Sequence, residues 1–292
     1  MSETRDGGSS TPRDPGIQPG IAVRLSARVR RITAPNPGAM TGPGTNSYLV
    51  GAGERWAVID PGPADDRHVR ALMEAAPQAI HHILVTHTHE DHSPGAAPLK
   101  SATGALLLGR TTCHRHWQDS TFVPDRELRH DDRLTLVPGC TLRVIHTPGH
   151  ASNHLCFLLE DERILFTGDH IIQGSTVVID PPDGDMAAYI ASLEALLREP
   201  IDYLAPGHGT LIPEPHAAIQ GLIQHRLRRE AKVLAALSHQ HPADLSSLVR
   251  CVYDDVPPHL HPIAERSLLA HLLKLQSESR ARRIADSWIA PH

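Results

Sequence analysis

The sequence predicts an α/β protein built from two packed sheets flanked by helices, with a small helical domain at its C-terminal end. Three observations carry this expectation. Apolar runs of strand length recur through the first two thirds of the chain with few helical stretches between them. Histidines and aspartates gather directly after several of these runs. Beyond Pro215 the apolar residues change to helical spacing.

The 292 residues are 40 % hydrophobic and 21 % charged, the make-up of a soluble globular protein with a sizeable core. A net charge of −5 speaks against a globally basic nucleic-acid binder. The balance is uneven, because the segment from Leu222 onward is net basic and would form a small positive lobe on an acidic body. With 22 histidines, 4 cysteines and no CxxC spacing, the chain favours nitrogen and oxygen metal ligands over thiolates. The cysteine pattern offers no disulfide framework and points to a reducing cytoplasm. No apolar run reaches the length of about 18 residues that a membrane span needs, so no membrane partner is expected.

Residues 1–19, rich in Gly, Ser, Pro and Thr, read as a flexible leader. Residues 20–215 form the main domain. Strands are expected over 21–32, 47–50 and 56–59, then a helix around 69–75. A strand over 82–86 ends at a histidine cluster, and Ser93-Pro94-Gly95 marks the turn into another helix. Further strands are expected at 105–108, 134–137, 142–145, 155–159 and 164–167, a helix over 186–197, and a strand at 203–205. Residues 216–292 form the C-terminal domain. A long helix over 216–237, basic in its middle, precedes helices at 245–253 and 264–275 split by Pro257-Pro258, and an Arg-rich segment closes the chain. This order suits a winged-helix-like module, with a helical hairpin as the alternative.

The segment Thr86-His87-Thr88-His89-Glu90-Asp91-His92 carries the chemistry. Alternate side chains of a strand project to one side, so His87 and His89 can converge on one ion, while the following turn brings Asp91 and His92 to a second. More ligand types follow further strands: His150 in Thr147-Pro148-Gly149-His150, Asp169 in Thr167-Gly168-Asp169, and His208 in Pro206-Gly207-His208-Gly209. One sheet edge would deliver all seven side chains to one place. Imidazole and carboxylate donors suit zinc first, with manganese or iron as alternatives. Isolated histidines such as His68, His114 and His241 are read as ordinary surface residues.

The HxHxDH run, TPGH, GD and PGHG, in this order, resemble the metallo-β-lactamase superfamily, over about residues 21–213. That resemblance implies an αββα sandwich. It also implies that His87, His89 and His150 bind one divalent ion, that Asp91, His92 and His208 bind a second, and that Asp169 bridges them. Asp60, in Ile59-Asp60-Pro61-Gly62, would support the ligands from behind. The chemistry implied is binuclear hydrolysis by a metal-bound hydroxide, with Asp91 also accepting or shuttling a proton. Aspartate at position 169, where lactam-cleaving members commonly have cysteine, lowers antibiotic hydrolysis as the native task.

Thr45-Asn46-Ser47-Tyr48-Leu49-Val50, Gly174-Ser175-Thr176-Val177-Val178 and the helical tail are similar to the β-lactamase-like protein 2 branch. That branch implies a winged-helix-like tail, a homodimer, and one of two substrate classes. The favoured class is the phosphodiester of single-stranded RNA, as in an endoribonuclease, consistent with the basic tail. The alternative is a thioester, ester or lactone of a small acyl substrate. A non-catalytic metal-binding regulator is a third reading, disfavoured by the complete ligand set. Asn46, Tyr48, Ser175 and Thr176 are expected to face substrate. His154 is expected either to donate a proton or to make a local hydrogen bond. Arg226 and Arg229 are read as helix-surface residues, with contact to an anionic substrate as the alternative.

Overall fold

The computed structural model describes residues 12–76, 79–114, 117–239 and 242–291, which leaves His241 outside the described residues. The first sheet is laid down in sequence order: β1 (Val23–Arg24), β2 (Val29–Thr33), β3 (Asn46–Ala52), β4 (Arg55–Ile59), β5 (Ile80–Leu84), β6 (Leu106–Gly109) and β7 (Arg126–Glu127). Its first four strands pair antiparallel. From β4 onward the pairs are parallel, with α1 (Asp66–Ala75) and α2 (Ala96–Thr103) as crossovers. The second sheet has the order β12-β11-β10-β9-β8, from β8 (Arg133–Val137), β9 (Cys140–His146), β10 (Leu155–Leu159), β11 (Ile164–Gly168) and β12 (Tyr203–Pro206). Helix α3 (Met186–Leu196) joins the parallel pair β11 and β12.

Strand alternation builds three apolar layers. In β4, Ala57 and Ile59 face the other sheet while Trp56 and Val58 face α1 and α2. In β10, Leu155, Phe157 and Leu159 fill the space between the sheets, while Cys156 and Leu158 pack under α3. With both faces covered, the central strands read as continuous apolar runs, not as alternating ones. The result is the expected αββα sandwich.

Three expectations are corrected. The single strand over 21–32 is a hairpin: Ser26 Oγ accepts from the amides of Arg28 and Val29, each at 3.1 Å, and folds β1 back on β2. The leader expected over 1–19 is docked from residue 12, its first eleven residues lying outside the described ones. Arg31, only 1 % exposed, donates to both oxygens of Asp14 at 2.5 and 2.9 Å and to the Gly16 carbonyl. Asp14 also accepts from the Leu211 amide at 2.8 Å, which ties this segment to the second sheet's end. His68, expected at the surface, is buried with Nε2 2.7 Å from the Ser47 hydroxyl.

The C-terminal part begins with α4 (Pro215–His239), followed by β13 (Ala243–Asp244), α5 (Leu245–Val252), α6 (His261–Ser277), β14 (Arg282–Ile284) and β15 (Ser287–Ile289). The three short strands pair in the order β13-β15-β14 and form the wing. Val233 and Leu237 of α4 share a core with Leu248, Val252, Leu268, Leu272 and Trp288. At its other end, Ile219, Leu222 and Ile223 belong to the layer under the second sheet. Helix α4 therefore serves two cores at once and fixes the C-terminal part against the sandwich.

Candidate metal centre

Each expected ligand follows the C-terminal end of a strand. His87, His89, Asp91 and His92 come after β5, His150 after β9, Asp169 after β11 and His208 after β12. The structure brings all seven together. His89 Nδ1 lies 2.9 Å from His87 Nε2 and 3.0 Å from His150 Nε2. His208 Nε2 lies 3.2 Å from Asp169 Oδ1 and 3.3 Å from Asp91 Oδ2, and His92 Nε2 lies 3.2 and 3.4 Å from the same two oxygens. Donors on one tetrahedral zinc stand roughly 3.3 Å apart, given bonds of about 2.0–2.2 Å. Three groups could each hold an ion: His87, His89 and His150; His87, His92 and Asp169; and Asp91, His92 and His208.

The backing of the imidazoles decides which nitrogen is offered. His150 Nδ1 bonds to the Val178 carbonyl at 2.7 Å, His208 Nδ1 to the Gly44 carbonyl at 3.2 Å, and His92 Nδ1 to Asp60 Oδ2 at 2.9 Å. Their Nε2 atoms are thereby turned inward. Asp60 also accepts from the Thr86 amide and hydroxyl at 2.7 and 2.8 Å, and that hydroxyl lies 3.0 Å from His87 Nδ1. To reach this position Asp60 adopts φ +52°, a conformation that costs on the order of 1 kcal/mol or more for a non-glycine residue. Gly207 permits the close approach of the β12 loop: a Cβ there would stand 2.6 Å from Asp169 Oδ1 and 2.7 Å from His92 Cε1.

Two observations fit these residues to divalent cations. His92 Nε2 and Asp169 Oδ1 are buried without a hydrogen-bond partner, a state that metal coordination relieves. The charge pattern agrees. Burial holds His87 and His89 well below the usual imidazole range and lowers His150 as well, which favours neutral imidazole ligands. Burial opposes the cation at His208 too, yet Asp169 and Asp91 draw it up to about 10. Burial likewise opposes, and the same aspartates with Asp60 outweigh, the charging of His92, which is driven well above its ordinary value. The two-carboxylate pole thus attracts positive charge, which a metal ion satisfies.

The substrate-side expectations divide. Ser175 and Thr176 line a cleft of about 610 Å³ that opens onto His150, Asp169 and His208. Asn46 and Tyr48 do not face substrate, for they are buried behind the β12 loop. The Asn46 amide donates to the carbonyls of Pro206 and Gly209 at 2.9 and 2.8 Å, and the Tyr48 hydroxyl donates to Pro206 at 2.7 Å, so both position His208. His154 is fully buried behind His87, with Nδ1 2.9 Å from the Thr147 hydroxyl, which is the local hydrogen bond and not a substrate contact. Arg226 and Arg229 are not on the helix surface, being 3 % and 6 % exposed on the cleft's C-terminal wall. That wall also carries Tyr253, Val256, Leu260, Ile263 and Ala264, which a reading of single motifs missed. Only Ile263 and Ala264 lie in an α-helix, and Tyr253, Val256 and Leu260 come from the turn before it, where no periodicity marks them.

A sandwich whose strand ends present five imidazoles and two carboxylates in a cleft is a metal-dependent hydrolase. The chain belongs to the metallo-beta-lactamase superfamily, whose sequence profile matches residues 40–208, and a profile described as the beta-lactamase associated winged helix domain matches residues 245–288. It is 34 % identical over 277 residues to a Beta-lactamase-like protein 2 homolog of Drosophila melanogaster, covering 89 % of this chain and 91 % of that one. It is 32 % identical over 288 residues to an atrochrysone carboxyl ACP thioesterase of Aspergillus chevalieri, covering 94 % and 87 %. A crystal structure of a beta-lactamase domain protein from Burkholderia ambifaria shares the fold at TM-score 0.80 and 20 % identity, over 94 % of this chain and 95 % of that chain.

Proposed function

We propose that this hydrolase cleaves thioesters, or closely related carboxylic esters, of acyl groups with a substantial apolar part. The observation that carries the reading is the cleft beside the metal residues. Its walls are formed by Ile172, Val177, Val178, Leu260, Ile263 and Ala264 among others, which suit an acyl chain better than a polynucleotide. The relative named as an acyl carrier protein thioesterase supports the same class.

Part of the basic charge of the tail, which favoured RNA, is matched by carboxylates of the tail itself. Arg229 pairs with Asp255, Lys232 with Asp254, and Lys274 and Arg280 with Glu230 and Glu278. Such cations are poorly placed to track a phosphate backbone.

In this reading His87, His89 and His150 would hold one zinc ion and Asp91, His92 and His208 a second, with Asp169 available as a further ligand. When bound, the ions supply an activated water and polarise the carbonyl oxygen. Val178, Met40 and Ile263 form apolar walls beside the pole on both sides, where they exclude water from the acyl chain. Asp91, held by the Thr45 hydroxyl at 2.9 Å, is partly open to an adjoining cleft lined by His89 and Trp117 and can receive a proton there. The test is a panel of acyl thioesters from acetyl to dodecanoyl, with single-stranded RNA beside it, each with and without chelator. Chelator-sensitive hydrolysis that rises with chain length is expected. Cleavage of RNA with every thioester at background overturns the assignment.

A further inference from the structure

The cleft has a second polar pole, away from the metal residues, and it is cationic. Arg226 lines the cleft from α4 and is 3 % exposed. One of its terminal nitrogens donates to the Val177 carbonyl at 2.5 Å, and its guanidinium lies 5.2 Å from the centroid of the Tyr189 ring. Its Nε is buried and has no hydrogen-bond partner. Arg229, one turn further on, meets Asp255 at 2.7 Å, whereas Arg226 meets no carboxylate among the described residues. On the same wall the Tyr253 hydroxyl is also buried without a partner. A buried cation without a counter-charge is costly, as is a buried unsatisfied donor. Both costs are relieved when an oxyanion reaches these groups, because hydrogen bonds to charged groups are the strong ones.

Apolar side chains of Val177, Val178, Ile263 and Ala264 also line the cleft, and Val177 and Val178 join the two poles, their carbonyls bonding to Arg226 and His150. A ligand that satisfies the whole cleft therefore has three parts: a carbonyl at the metal pole, an apolar stretch, and an anionic head. We infer that Arg226, with the Tyr253 hydroxyl, recognises an oxyanion at the far end of the substrate and selects acyl groups that carry one, a carboxylate or a phosphate. This rests on the acyl-hydrolase reading above for the identity of the scissile bond, but the anion site itself stands on Arg226 and Tyr253 alone.

The test uses the zinc-loaded protein and the N-acetylcysteamine monothioester of suberic acid, compared with the same thioester methylated at its free carboxyl. The expected kcat/KM ratio is about ten in favour of the free acid, the low end for a charge-assisted hydrogen bond to a buried group. In Arg226→Gln the ratio falls to near one. Tyr253→Phe, which removes only a hydroxyl, gives an intermediate ratio and covers the case in which the arginine variant fails to fold. Calorimetric binding of suberate against monomethyl suberate reads the same preference without turnover, and 8-phosphonooctanoate in the same titration separates a phosphate head from a carboxylate one. A preference that survives both substitutions, or equal binding of suberate and its monomethyl ester, overturns the inference. If suberate keeps an Arg226-dependent advantage while no thioester is hydrolysed, the anion site holds and the acyl-hydrolase reading fails.

Discussion

Asp60 shows how far one side chain reaches. Its carboxylate fixes the Thr86 backbone, the Thr86 hydroxyl and His92 Nδ1, and through Thr86 it sits next to His87 Nδ1. Asp60→Asn keeps the size and tolerates the positive φ, but it replaces one acceptor oxygen with a donor facing His92. Zinc affinity, measured by competition with a chromophoric chelator, is expected to fall about 10–100-fold. Unchanged affinity would reduce Asp60 to an ordinary buried polar residue. Asn46 yields a sharper test, since it was expected to touch substrate and instead braces His208. Asn46→Ala strips hydrogen bonds from the Pro206 and Gly209 carbonyls, and about 2 kcal/mol of stability is expected to go with them. Metal retention should drop in parallel. A raised KM with unchanged melting temperature and metal content would restore the substrate role. The seven metal residues were legible in the sequence because each group follows a strand, three of them directly after a glycine, and converging strand ends need no finer knowledge. Asn46 and Tyr48 were misread because a strand's sequence does not say which of its two faces meets the cleft.

Among the elements, the segment from residue 12 and helix α4 depart most from what their composition suggests. Proline and glycine made the first look detached, while its single carboxylate, Asp14, is the counter-charge of a buried arginine. Burial acts to raise the Asp14 pKa, but the hydrogen bond from Arg31, with the amides of Leu211 and Gly16, holds it below the usual carboxylate range. A carboxylate depressed in the folded state stabilises the fold above its unfolded pKa, near 3.9, and that contribution is lost as pH falls through the lower folded value. Asp14→Asn leaves the Arg31 charge buried without compensation and should cost about 3 kcal/mol at neutral pH. The gap between wild-type and variant melting temperatures should stay constant above about pH 5 and close below about pH 4. A gap that is the same at pH 3 and pH 7 would falsify the ion pair as its source. Helix α4 was misread for a related reason. Ile219 serves one core, Val233 another, and Arg226 a cleft between them, so its apolar and charged positions do not sort into one buried and one wet face.

At the scale of the whole molecule, the metal residues and the apolar walls come from different parts of the chain. The sandwich supplies the ligands, whereas α6 and the middle of α4 supply much of the surface facing them. Ile263 of α6 lines both this cleft and an adjoining one of about 650 Å³ that reaches His89, Asp91 and Trp117. In the proposed reading it flanks an acyl chain leaving the metal pole along either branch. Burying each methylene contributes about 0.8 kcal/mol, so a wall that accepts several of them controls chain-length preference far more than the chemistry of the carbonyl. Ile263→Asp places a charge on that wall without touching any metal ligand. The ratio of kcat/KM for octanoyl over acetyl thioesters is expected to fall at least about tenfold, the equivalent of roughly two buried methylenes, while zinc content holds. An equal loss on both substrates would mean that α6 supports the metal centre and does not select the acyl chain. A ratio left intact would place the acyl chain elsewhere and detach the C-terminal part from substrate choice.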